Sequence, residues 1–192
     1  KCQGRALFKY TVIGIAEQRV HVSFLLRSAA HLIQHGPHVV AERACPAGAR
    51  QHRAAIARLT ARNPNPYCSE AYMNLGLCLR YQGREDEAYD AFFKATWTAA
   101  EQETSYYHIA CIDCKRGEYA LALEHVERSL VRNSHNLKAR ALRGLILDSL
   151  GREEEAAAWY EENLRLDAFD YVSRLESGDV EGALNMMNGR VS

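Results

Sequence analysis

His108, Cys111 and Cys114 are the residues whose types and spacing most readily suggest chemistry, three metal-compatible donors at three-residue intervals. On a helix this interval puts them on one face, where they could hold a metal ion or exchange a disulfide. Each chemistry needs a context that is missing. A structural zinc site takes paired cysteines from tight turns and adds a second Cys/His pair, which this sequence does not supply at suitable spacing. A redox C-x-x-C opens a helix after a strand, whereas Cys111 and Cys114 lie inside a helical pattern. The expectation is therefore buried or groove-lining thiols, with no metal and no cofactor. His31 and His35 are four apart and could chelate, again without evident further ligands. Glu153, Glu154 and Glu155 start a helix, where solvent and the helix dipole account for their charge. No nucleophile elbow, phosphate loop, dinucleotide fingerprint or helical zinc-protease motif is found, so the stretch shown is expected not to be an enzyme.

The elements that would position such residues must come from 192 residues, 47% of them hydrophobic, with a formal net charge of zero. That charge argues against a surface devoted to neutralising phosphates. It conceals an asymmetry: up to Pro66 there are ten Lys and Arg against two acids, and from Tyr67 onward fourteen against twenty-two. The basic third carries five of the histidines but, apart from Phe8 and Tyr10 around Lys9, no aromatic platforms next to its cations, so nucleic-acid binding is the weaker reading. No run approaches the roughly 18 apolar residues of a membrane span. Six irregularly spaced cysteines in an Ala- and Glu-rich helical chain read as reduced thiols, which points to the cytoplasm. The chain starts at Lys1 rather than Met, which reads as a fragment or processed product.

In chain order, residues 1–16 read as an extended segment, because FKYTVIGI is rich in β-branched and aromatic residues. Glu17 to His35 has apolar residues at helical spacing and stops at Gly36-Pro37. A shorter helix from His38 to Ala44 is expected to break at Cys45-Pro46, since proline cannot donate to the helical ladder. Arg50 to Arg62 is amphipathic, with Ala54, Ala55, Ile56 and Leu59 near one face. The stretch 69–102 then reads as two amphipathic helices joined at Gly83, with Tyr72, Leu75, Gly76 and Leu79 on the first and Ala88, Phe92 and Ala95 on the second. The same pattern recurs over 103–136 and 137–170, so that Gly83, Gly117 and Gly151 are evenly spaced by 34 residues. Glycine suits a chain leaving a helix through a left-handed conformation.

This pattern resembles the tetratricopeptide repeat. The resemblance implies an all-α right-handed superhelix of antiparallel helix hairpins, with Gly76 and Ala88 at the crossing where only small residues fit. The implied organisation is a basic leading segment 1–49, a degenerate half-repeat 50–68, three repeats at 69–102, 103–136 and 137–170, and a short terminal hairpin or cap at 171–192. Leu184 and Met187 would cover the last repeat. Arg140 and Arg143 fall at usually apolar positions of the third repeat, where their stems would lie on the surface with the charges in water.

In such an array the first helices line the concave face. The register puts Met73, Leu77, Arg80 and Tyr81 there from the first repeat, Tyr107, Cys111 and Lys115 from the second, and Lys138 and Leu145 from the third. The chaperone-binding class of the family clamps a terminal carboxylate with Lys and Asn on the first repeat, where this chain has Met73 and Leu77. No carboxylate clamp is expected. The groove is instead apolar and aromatic with a rim of Arg80, Lys115 and Lys138, which favours a hydrophobic segment. The expected function is a protein-interaction scaffold binding a peptide or partner domain, including another domain of the same parent protein or a second copy forming a homodimer. A narrower resemblance, over NPNPYCSEAYMNLGLCLRYQGREDEAYDAFFKATW and SLVRNSHNLKARAL, is to the C-terminal arrays of large bacterial proteins linked to carbohydrate utilisation. It makes a helical module of a carbohydrate-active or carbohydrate-binding protein the alternative.

Overall fold

The computed structural model describes residues 38–63 and 68–187. The chain divides into two compact units, 1–44 and 45–192, and the account here is of the second. The expected extended segment at 1–16 and the helix from Glu17 to His35 lie outside the described residues.

Among the described residues there are nine helices and no strand. They are α1 (His38–Thr60), α2 (Glu70–Tyr81), α3 (Glu85–Ala95), α4 (Ala99–Arg116), α5 (Tyr119–Arg132), α6 (Leu137–Ser149), α7 (Glu153–Leu166), α8 (Tyr171–Glu176) and α9 (Val180–Met187). The first of these corrects the expectation of a break at Cys45-Pro46, because α1 runs through Pro46. A single proline removes one hydrogen bond and strains one turn, about 3 kcal/mol, and the flanking residues are rich in alanine and arginine, both strong helix formers.

From α2 onward each helix packs on the next, so the chain is a row of hairpins. In addition α2 touches α4, α4 touches α6 and α6 touches α8, while α3, α5 and α7 make no such contact with one another. The first helices therefore form a close layer and the second helices fan apart. That asymmetry bends the row toward the first helices, which makes theirs the concave side.

Each hairpin is closed by a glycine in the left-handed region, with φ of 72° at Gly83, 80° at Gly117 and 72° at Gly151, as their spacing required. Gly178, at 94°, repeats the device in the shortened α8–α9 pair. Where the helices cross, Gly76 lies against Phe92, and a methyl group there would come within 2.6 Å of a ring carbon. Gly144 is pressed against Tyr160 in the same way. At the equivalent positions of the middle hairpin stand Ala110 and Val126, both fully buried. A larger residue on the first helix is thus matched by a smaller one on the second, which keeps the packed volume nearly constant. Ala88, Ala122 and Ala156, the small partners across the crossing, are all completely buried.

The core has two parts. One centres on Leu75, Leu79, Phe92 and Ile109 and takes in Ala49 of α1, whose next-door Gly48 approaches the Cys78 sulfur closely. The other centres on Val126, Ile146, Leu147 and Tyr160. Burying each large apolar side chain contributes roughly 1.5–3 kcal/mol, so neighbouring hairpins stabilise one another through these seams.

Arg140 departs from the surface position expected of it. It is 4% exposed, its Nε donates to Asn163 Oδ1 at 2.7 Å, and its other nitrogens donate to the Ser134 carbonyl and to Glu162. Its guanidinium lies 4.2 Å from the centre of the Trp159 ring, and Arg143 lies 4.1 Å from the same ring. The planar, forked group can be buried because hydrogen bonds and a π face replace water around it. Asn163 continues the chain of polar contacts to Ser173 at 3.1 Å, and the Ser173 hydroxyl donates to Asp170. Asp170 also caps α8 by accepting from the backbone of Val172 and Ser173. The side chains of Leu184 and Met187, expected to cover this end, lie outside the described residues.

Candidate concave interaction face

The contacting helices α2, α4 and α6 carry the residues expected to line the groove, and these divide by depth. Met73 and Cys111 are each 5% exposed, so they form the floor rather than open surface. Met73 belongs to the first core, and its sulfur accepts from the Ser105 hydroxyl at 3.5 Å across the α2–α4 seam. Leu77, Tyr107 and Leu145, one from each first helix, are half-buried. Leu77 packs on the first core and Tyr107 on the second, so their remaining surfaces are held in place from beneath. Tyr81, Lys115 and Lys138 are exposed.

The basic residues differ in their surroundings. Lys115, near the end of α4, is paired with Glu85 at the start of α3, so its charge is partly spoken for. Arg80 is half-buried and its Nη1 donates to His108 Nδ1 at 2.5 Å. A guanidinium can only donate, so this nitrogen of His108 must accept and the ring proton must sit on Nε2. The imidazole stacks on Phe92 with 4.9 Å between ring centres and meets Tyr107 edge-on at 5.3 Å. Burial, together with the positive charges of Arg80 and Lys138, holds the His108 imidazole down to about 3, so the ring is neutral at ordinary pH. Sequence reading took His108 only as a candidate metal ligand. Its pairing with Arg80, 28 residues away on the neighbouring first helix, could have been sought in the repeat register.

The thiols are placed as cores place them. Burial, with Cys111 and Asp113 nearby, pushes the Cys114 thiol up to about 12, leaving negligible thiolate to act as nucleophile or ligand. Among the described residues no group of three or more His, Cys, Asp or Glu side chains is arranged to hold a metal ion. None of the described helices is long and apolar enough to cross a membrane.

A second polar cluster, not anticipated from the sequence, lies behind this face. His125 of α5 donates from Nδ1 to Asp113 of α4 at 2.7 Å, with both side chains buried. Tyr106 stacks on the His125 ring and Phe93 meets it edge-on, which fixes the imidazole between two hairpins. The Tyr89 phenol nearby is raised to about 12, first by burial and then by the Asp113 carboxylate. The signal in the sequence was faint, an acid and a histidine twelve residues apart in what reads as an ordinary helix pair.

The family model for the tetratricopeptide repeat matches residues 48–103 and 109–171. Among solved structures, the chain resembles the Arabidopsis OM64 TPR domain at 20% identity, with 58% of this chain and 92% of that one covered and a TM-score of 0.53. It resembles the first TPR of Spaghetti (RPAP3) bound to the HSP90 peptide SRMEEVD at 23% identity, covering 60% and 92% with a TM-score of 0.53. A crystal structure of MamA is similar at 19% identity, covering 71% and 83% with the same TM-score. At these identities the structures speak to the fold, an all-α solenoid of helix hairpins.

Proposed function

Because the chain belongs to the tetratricopeptide repeat family, we propose that it is a non-enzymatic scaffold holding a peptide or a partner domain in its concave groove. The observation that carries this reading is the layer of first helices. By the repeat register it offers half-buried Leu77, Tyr107 and Leu145, the first two packed against the cores, with Arg80 and Lys138 both near His108. Apolar surface held rigidly at the concave side binds with little ordering cost, and each 100 Å² it buries contributes about 2.5 kcal/mol before association costs. The RPAP3 repeat domain, a structural neighbour, binds a peptide, which supports a peptide as one kind of occupant. With Met73 and Leu77 at the first repeat, the occupant here is read as an apolar segment rather than a clamped chain end.

The test is affinity capture with the wild-type chain and with Leu77→Asp combined with Tyr107→Ala. Partners held in the groove should be lost from the double variant while its helical circular dichroism stays unchanged. Equal recovery of every partner by a folded double variant removes the groove from the function.

A further inference from the structure

We propose that the chain attaches to a bilayer surface bearing anionic lipid, through the edge of the row where one hairpin connects to the next. This goes beyond the groove reading and needs no occupant there. Consecutive helices from α2 onward pack against each other and are joined by short connections, so the connections alternate between two edges. One edge holds the turns at Gly83, Gly117 and Gly151, and the other holds the connections 96–98, 133–136 and 167–170. Among the described residues, four large hydrophobic side chains are more than half exposed: Trp97 at 57%, Val131 at 82%, Leu166 at 51% and Phe169 at 60%. All four belong to the second edge, and each of its three connections has at least one within it or flanking it. A single exposed apolar residue is ordinary, whereas several gathered on one edge mark an interaction surface.

The exposed charges sort in the same way. From the last turn of each second helix to the first turn of the next helix, residues 92–102, 129–140 and 163–174, the exposed charged side chains are Lys94, Arg132, Lys138 and Arg165, all cations. The acids of these stretches, Glu101, Asp167 and Asp170, are buried or half-buried. Asp167 accepts from the backbone of Phe169, and Asp170 from that of Val172 and Ser173. At the glycine edge the balance reverses, with exposed acids at Asp86, Glu87 and Glu153 to Glu155. Its cations Lys115, Arg116 and Arg152 are each held in an ion pair.

Apolar tips among exposed cations fit an anionic leaflet. The tips reach the acyl boundary, the Trp97 ring suits the headgroup level, and the cations meet lipid phosphates. The tips stand at helix ends along one edge, which suits a plane better than an extended peptide. A second copy laid edge to edge would bring exposed cations against exposed cations. The row would lie on the surface, since none of the described helices is long and apolar enough to cross a membrane.

The test is co-sedimentation of the full chain with phosphatidylcholine vesicles, with and without phosphatidylglycerol. Binding is expected to the mixed vesicles and should weaken in high salt. Trp97→Gln with Phe169→Gln should weaken it about tenfold, as should Arg132→Gln with Lys138→Gln, while the helical circular dichroism of both variants stays unchanged. Brominated phosphatidylcholine in the mixed vesicles should quench Trp97 and spare half-buried Trp159, so the quenching should vanish with Trp97→Gln. No binding to the mixed vesicles, or equal binding to both kinds, would overturn the proposal. Loss in the cation variant alone would mean adsorption by charge without inserted tips, and full binding by both variants would place the attachment elsewhere in the chain. Either result overturns the role of this edge. Dimers seen by sedimentation velocity without vesicles, and lost with Trp97→Gln and Phe169→Gln, would assign the edge to a second copy and overturn the proposal as well.

Discussion

The hairpins Glu70–Ala95 and Leu137–Leu166 cross in the same way, a glycine on the first helix against an aromatic ring on the second. They fill the space around that crossing with different chemistry. Around Gly76 and Phe92 lie Leu75, Leu79, Ala91 and Ala95, and the packing is apolar. Around Gly144 and Tyr160 the Tyr160 hydroxyl donates to Asp148, Arg140 is buried on Trp159, and Asn163 passes hydrogen bonds to the capping hairpin. The first hairpin is packed between other helices on both sides, and non-directional burial suffices there. The third joins a cap of two short helices, and there hydrogen bonds from Asn163 to Ser173 and from Ser173 to Asp170 mark the join. Stability in this row is therefore distributed by neighbourhood, while the crossing geometry is common.

The largest separation of the two hairpins should come from Arg140→Met. It leaves Asn163 and the Ser134 carbonyl without their donor and should cost about 3 kcal/mol in urea unfolding. A cost below 1 kcal/mol would mean the third seam is held by apolar contact like the first. Next comes the crossing itself. Gly76→Ala should cost about 2 kcal/mol through its clash with Phe92, and adding Phe92→Val, which copies Ala110 and Val126 of the middle hairpin, should cost at least about 1 kcal/mol less than the two single changes summed. Simple additivity would break the idea of matched volumes. Gly83→Ala and Gly151→Ala should each cost about 1 kcal/mol, and equally, because the turn conformation is shared by both hairpins.

The smallest effect is at alkaline pH. Burial first, and then the hydrogen bond and charge of Asp148, raise the Tyr160 phenol above its ordinary value of 10.0. The folded state thus favours the neutral phenol, so its contribution is complete below pH 10 and is lost as pH climbs past that value. Tyr160→Phe should make the melting temperature fall less between pH 10 and 12. Tyr89, raised to about 12, should leave a residual fall in that variant.

The regular parts of this fold were written in short-range pattern. Gly83, Gly117 and Gly151 mark their turns by conformational need alone, and the small residues Gly76 and Ala88 mark their crossing by lack of volume. Residues whose role depends on a distant partner could not be read in that way. Arg140 looked like a charge on the wrong face until Trp159, Asn163 and Ser134 were brought to it by the fold. Pro46 looked like a stop because its local rule is strong, yet α1 continues past it. The register offered Leu77, Tyr107 and Leu145 as groove residues, but could not tell that Met73 and Cys111 are buried or that Arg80 rests on His108. Depth within a face depends on how closely neighbouring helices approach, and a periodic pattern carries no measure of that distance.

The matched pairs Gly76 with Phe92, Ala110 with Val126 and Gly144 with Tyr160 also constrain how such a row can be rearranged. A whole hairpin carries both members of its pair, so duplication or exchange in units of 34 residues preserves every fit. A recombination joint at a turn glycine that puts the first helix of the middle hairpin before the second helix of a flanking one sets Ala110 against an aromatic ring. The hairpins are thus interchangeable as wholes, while halves of the middle one do not match its neighbours, which makes the loops between hairpins the permissive breakpoints for building longer or chimeric arrays.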